Sequence, residues 1–125
     1  MMNKKKIFIA IDTNKVSKAK KIIKDTQTNK IKVGYKFGLE FFYSKDGRKF
    51  LSSLKNQTIF LDLKLNDIPN TVWSAMKSLK DLKISYLTVH LSAGLSALKA
   101  IKQDSKNIKI AGVTTLTSLN NKDLK

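Results

Sequence analysis

Five short apolar runs begin at residues 6, 31, 58, 84 and 108, and that beat constrains the fold more than any other feature of the chain. They are KIFIAID (6–12), IKVGYKF (31–37), TIFLDLK (58–64), ISYLTVH (84–90) and IKIAGVTTL (108–116). Rich in Ile, Val, Phe and Thr, they read as continuous rather than alternating, which is the pattern of parallel strands covered by helices. Each interval has room for one strand, one helix and two loops. The segments between the runs carry helical stripes: Val16, Ala19, Ile22 and Ile23; Val72, Trp73, Met76 and Leu79; Leu95, Leu98 and Ile101. Pro69 falls in the first turn of its helix, where a missing N–H is tolerated. The segment GLEFFYSKDGRKFLSSL is expected to break at Asp46-Gly47 into two short helices. No proline-rich or glycine-serine linker divides the chain, so residues 1–125 read as a single domain. Five successive βα units predict an α/β protein with a parallel sheet.

Composition limits what such a protein can be. The chain has no cysteine, which excludes disulfides and thiolate metal sites and suits a reducing compartment. Its start, MMNKKKIFIAIDTNK, imitates a secretory leader, but Asp12 interrupts the apolar run after Ile11. That run is shorter than the roughly 7–15 residues of a leader core. No stretch approaches the about 20 apolar residues of a membrane span. A cytoplasmic protein without a membrane partner is expected.

The formal charge of +16 raises nucleic acid as a partner. Of the 25 basic residues, however, only Arg48 is an arginine, and the lysines are scattered along the whole chain. Base-edge readout favours the bidentate arginine fork. Diffuse lysine reads as a solvated surface whose field attracts a small anionic substrate, and no nucleic-acid partner is expected. Steep salt dependence of duplex binding would mark the opposite case.

The chemistry concentrates in IFLDLKLNDIPNT, residues 59–71. Asp12, Lys64 and His90 each close a predicted strand, and Lys32 lies early in the second. Parallel α/β folds build their active sites at the carboxyl ends of strands. Taken singly, Asp12 or Asp67 reads equally well as a helix N-cap, and His90 as a hydrogen-bonded structural histidine. Their shared placement argues for a site. Strand parity sets Phe60, Asp62 and Lys64 on one face, with Leu61 and Leu63 on the other. The leucines meet the outer helices, so Asp62 and Lys64 point inward. A lone charge buried there would cost several kcal/mol on the usual scale. An inward array of Lys32, Asp62, Lys64 and Asp67 is self-compensating, and it offers a fixed negative charge beside a fixed proton donor.

These residues carry a resemblance. LDLKLNDIPNT is similar to the Asp-x-Lys-x-x-Asp-Ile-Pro-Asn-Thr signature of the orotidine 5′-phosphate decarboxylase family. AID ending at Asp12, KVG beginning at Lys32, TVHLSAG around His90 and VTTLTS ending at Ser118 resemble further blocks of that family in the right order. A related sugar-phosphate branch, hexulose-phosphate synthase and 3-keto-gulonate-phosphate decarboxylase, keeps Asp-x-Lys-x-x-Asp without the Ile-Pro-Asn-Thr continuation and uses magnesium. The resemblance implies a TIM (β/α)8 barrel, of which these residues would form about the first five βα units. It also implies cofactor-free, metal-free decarboxylation of orotidine 5′-phosphate to uridylate in pyrimidine biosynthesis. Lys64 would protonate C6 of the pyrimidine, Asp62 would face the departing carboxylate, and Lys32 would bridge the ribose and Asp62. Asp12 would bind ribose hydroxyls, and Thr117 and Ser118 the pyrimidine edge. Asp67, Ile68 and Thr71 would reach into the partner subunit's site, implying a homodimer with shared active sites.

An eight-unit barrel needs about 200 or more residues, and these 125 supply five units. The family's phosphate grip lies in loops after the later strands. The expectation is therefore a truncated form with the charged cluster but without those loops. A non-catalytic half-barrel and a sugar-phosphate enzyme of the same superfamily are the alternatives.

Overall fold

The structure, a computed structural model, describes residues 5–124. Residues 1–4, which open the leader-like stretch, and Lys125 lie outside the described residues. The apolar runs form strands β1 (Lys6–Ile11), β2 (Lys32–Gly38), β3 (Thr58–Leu65), β4 (Tyr86–His90) and β5 (Lys109–Val113). Helices fill the intervals: α1 (Val16–Asp25), α2 (Leu39–Phe42), α3 (Gly47–Ser53), α4 (Pro69–Ser78) and α5 (Leu95–Asp104). The second interval divides at Asp46-Gly47 as predicted. Gly47 permits the break because a Cβ there would collide with the Phe41 carbonyl oxygen.

All pairings are parallel, in the order β1-β2-β3-β4-β5. A sequential order without reversal, joined by crossovers of one hand, sends every helix to the same side of the sheet. The result is an arc of a barrel rather than a doubly wound sheet. Burial follows this geometry. On the outer face Ile11, Tyr35, Phe37, Ile59, Leu61, Leu87 and Val89 are buried. Ala19, Ile23, Phe41, Leu51, Val72, Met76, Ala97 and Ile101 cover them from the helices. Among the described residues, no helix is long and apolar enough to cross a membrane.

Three local expectations are corrected. The fifth strand stops at Val113 rather than Leu116, because Val113 pairs with His90, the last residue of β4. The fourth strand starts at Tyr86 rather than Ile84, although the Ser85 N–H still donates to the Ile59 carbonyl at 2.8 Å. In α5 the stripe shifts: Leu95 is exposed, while Ala97 and Ile101, one turn apart, enter the core.

The inner face is open. Phe8, Phe60 and Tyr86 are half-buried there and pack on one another with ring centroids 5.2–5.7 Å apart. Gly34, the register partner of Phe8, makes this possible, since a Cβ at residue 34 would lie 2.5 Å from the Phe8 ring and 3.0 Å from the Thr58 carbonyl oxygen. Gly34→Ala is accordingly expected to destabilise the fold by about 1–3 kcal/mol, the usual cost of overpacking. Denaturant titration of the two forms measures it, and equal midpoints would show that the ring yields freely.

Candidate active site

The carboxyl end of β3 departs from regular pairing, and the departure builds the site. Leu61 pairs with Leu87 and Leu65 with Val89, so Asp62, Leu63 and Lys64 on β3 stand opposite Thr88 alone on β4. The extra residues are absorbed at Lys64, whose φ of 48° makes it the one non-glycine residue with positive φ among the described residues. A lysine in the left-handed region costs about 1–2 kcal/mol. Bulges of this kind bend a strand and re-aim its side chains next to functional sites.

Asp62 and Lys64 share the inner face, as their parity predicts. Lys64 Nζ lies 2.8 Å from Asp62 Oδ2. A second ammonium, that of Lys36, approaches the same oxygen at 3.8 Å. The other carboxylate oxygen accepts a 2.8 Å hydrogen bond from the Thr88 hydroxyl, which in turn accepts the Lys64 backbone N–H at 2.8 Å. Asp62 is only 13% exposed at its side chain, whereas Lys36 and Lys64 are 36% and 38% exposed. The cost of dehydration therefore falls mainly on the carboxylate. Burial pushes the Asp62 carboxyl up, but hydrogen bonds from Lys64 and Thr88, with the charges of Lys64 and Lys36, outweigh it and hold it below the usual carboxylate range. The cluster thus keeps an anion fixed between two partly exposed ammonium groups.

Lys32 is not in this cluster. It is the first residue of β2, paired with Lys6 at the amino end of the sheet, and it lines a cleft there with Thr28, Asn29, Ile31 and Thr58. It lies six positions before Gly38, the register partner of Asp62, or roughly 20 Å along the strand. Lys36 occupies the expected position instead. Parity alone could not separate the two, since residues 32 and 36 share a face. The sequence offers both candidates, since Lys36-Phe37-Gly38 repeats the Lys-x-Gly of Lys32-Val33-Gly34 four residues nearer the carboxyl end, and the register of β2 against β3 chooses between them. Thr88 also escaped the sequence reading, although it sits two residues before His90 and on the same face.

The other predicted residues lie at the same end of the sheet without joining the cluster. Asp12 follows β1 directly and is exposed. Thr117 and Ser118 are exposed in the irregular segment after β5. Asp67, Ile68 and Thr71 are exposed around the start of α4, and the Asp67 carboxylate accepts the Ile68 N–H at 2.7 Å. Among the described residues, Asp67 has no lysine or arginine nitrogen within 4.0 Å. Neither aspartate caps a helix: the N-cap of α1 is Lys15 and that of α4 is Ile68, both without a side-chain cap bond. His90 ends β4 half-buried, opposite Val113. Among the described residues, no group of three or more His, Asp or Glu side chains could hold a metal ion.

Known proteins resemble the chain in sequence and in fold. Residues 5–125 match the family model described as orotidine 5′-phosphate decarboxylase / HUMPS family. The orotidine 5′-phosphate decarboxylase of Malacoplasma penetrans is 40% identical over 123 residues, covering 94% of this chain and 52% of that protein. That of Wolbachia from Brugia malayi is 42% identical over 124 residues, with 94% and 53% covered. The chain spans about half the length of the curated relatives it matches. Among solved structures, orotidine 5′-phosphate decarboxylase from Lactobacillus acidophilus superposes with a TM-score of 0.82 at 32% identity, over 94% of this chain and 56% of that one. The Methanocaldococcus jannaschii protein, solved with the inhibitor BMP, gives a TM-score of 0.75 at 26% identity, over 90% and 53%. The five-stranded arc is part of the barrel of these proteins. With residues 5–125 matching the family's model, the chain belongs to the orotidine 5′-phosphate decarboxylase / HUMPS family.

Proposed function

We propose that the chain carries the charge cluster of an orotidine 5′-phosphate decarboxylase, which converts orotidylate to uridylate without a cofactor. The observation that carries this reading is the ion-paired Lys36–Asp62–Lys64 group at the carboxyl end of β2 and β3. In the reaction the bond from C6 to the carboxylate breaks, carbon dioxide leaves, and the electron pair stays on C6. No ring position delocalises that pair well, so preorganised positive charge and a nearby proton are the available help. Lys64 supplies both, ending the step by passing an Nζ proton to C6. Asp62 faces the departing carboxylate and holds the Lys64 ammonium in place. Lys36 takes the bridging role between ribose and Asp62. Asp12 binds ribose hydroxyls, and Thr117 and Ser118 meet the pyrimidine edge.

Asp67, Ile68 and Thr71 act in the site of a second subunit. Their exposure at the start of α4, and the 66% exposure of Ile68 in particular, support a homodimeric working unit. A cytoplasmic setting agrees with the absence of cysteine. The Ile-Pro-Asn-Thr continuation after Asp67 favours orotidylate over the sugar phosphates of the related branch.

The five strands leave β1 and β5 with one neighbour each, and such edges recruit other chains. The test compares these residues alone with a form continued to eight strands. Uridylate production and molecular mass are measured for both. The continued form is expected to turn over orotidylate as a dimer. The shorter form is expected to be nearly inactive and to associate. A folded eight-stranded form with no turnover would overturn the proposal.

A further inference from the structure

We propose that Thr88 is a positioning residue: its hydroxyl spans the β3 bulge and holds the Asp62 carboxylate and the Lys64 backbone in the geometry of their ion pair. Its bearing on turnover rests on the decarboxylase reading, whereas the positioning itself does not.

Three consecutive residues of β3 face one residue of β4, so the backbone ladder between Leu61 and Leu65 is interrupted. A backbone N–H left buried without a partner is costly. At Lys64 that N–H is satisfied by a side chain, the Thr88 hydroxyl, at 2.8 Å. A hydroxyl has one proton to give and lone pairs to receive. Having accepted from Lys64, Thr88 directs its single proton to Asp62 Oδ1, also at 2.8 Å. The two bonds are therefore coupled. One fixes where the left-handed residue begins, and the other fixes the carboxylate plane, leaving Oδ2 turned toward the ammonium groups of Lys64 and Lys36.

Burial makes this arrangement specific. Thr88 is 6% exposed and lies between the core residues Leu87 and Val89, so water does not readily replace its hydroxyl. Its γ-methyl also limits the rotamers open to it. Valine keeps the shape and removes both bonds. Serine keeps both bonds and loses only the methyl group.

The test is a carboxyl-carbon NMR titration of Asp62 in the wild-type chain, Thr88→Val and Thr88→Ser, with the distant Asp81 followed as control. Asp62 is expected to titrate at higher pH in Thr88→Val and near its wild-type position in Thr88→Ser, with Asp81 unchanged in both. Exchange of the Lys64 amide is expected to speed up in Thr88→Val only. Thr88→Ala repeats the comparison with a smaller side chain. An Asp62 titration identical in wild type, Thr88→Val and Thr88→Ala would overturn the proposal. So would equal shifts in Thr88→Val and Thr88→Ser, since those would report packing rather than the hydroxyl. None of these readouts needs turnover, so failure of the decarboxylase reading shows separately. In a form that does turn over orotidylate, Thr88→Val is expected to lower kcat by about 10- to 100-fold with KM little changed, the scale of a small misplacement of reacting groups.

Discussion

Replacing Lys64 with alanine in an eight-stranded form is expected to lower kcat for orotidylate by about 10⁴-fold or more. Two contributions disappear together. A positioned proton donor is worth about 10²–10⁴-fold, and one preorganised charge at the developing anion about 10²–10³-fold. Neither is replaced locally. Lys36 is the other ammonium on Asp62, but it lies 3.8 Å from the carboxylate and is carried by β2, not by the bulged end of β3 that aims Lys64. Binding of a product analogue should survive better than turnover, because the lost interaction is made chiefly in the transition state. Stopped assays with radiolabelled carboxyl carbon measure this. Near-normal turnover in Lys64→Ala would remove the residue from its role. Mixing Lys64→Ala with Asp67→Ala subunits extends the test to the proposed homodimer. Shared sites predict partial recovery in the mixture, and no recovery would argue that each subunit works alone.

The second large effect separates two lysines that look alike in the sequence. Lys36→Ala is expected to cost about 10²–10³-fold in kcat/KM, the usual loss for one preorganised electrostatic contact. Lys32→Ala is expected to stay within about threefold, because an exposed lysine at the opposite end of the strand affects the site only through screened long-range charge. Steady-state kinetics on the two variants decide it. Equal losses, or a larger loss at Lys32, would mean that β2 pairs with β3 four residues out of the register described here. The control on register is direct: Lys36→Ala removes one of the two ammonium groups beside Asp62, so the Asp62 carboxyl should titrate higher in that variant and not in Lys32→Ala.

The periodicity of the apolar runs determined the α/β class and the parallel sheet, the family resemblance implied a barrel, and the strand order of the structure makes the sheet an arc. A continuous Ile/Val/Phe/Leu strand has only one use in a parallel fold, and the amphipathic stretches between such strands must cover them. Two-residue alternation likewise predicted that Asp62 and Lys64 share a face, and the ion pair has them together although Lys64 leaves the extended backbone at a φ of 48°. The motif around them identified the family because its residues are contiguous. Pairing register was not legible. Lys32 and Lys36 have the same parity and the same Lys-x-Gly context, and only the alignment of β2 against β3, Gly38 beside Asp62, selects Lys36. Thr88 was invisible on similar grounds. It lies 24 residues beyond Lys64 in the chain, and its hydroxyl matters only because a bulge in a different strand leaves an N–H and a carboxylate for it to bind. Local sequence determined which groups point inward, whereas tertiary pairing decided which of them meet, because register is set by packing between strands distant in the chain.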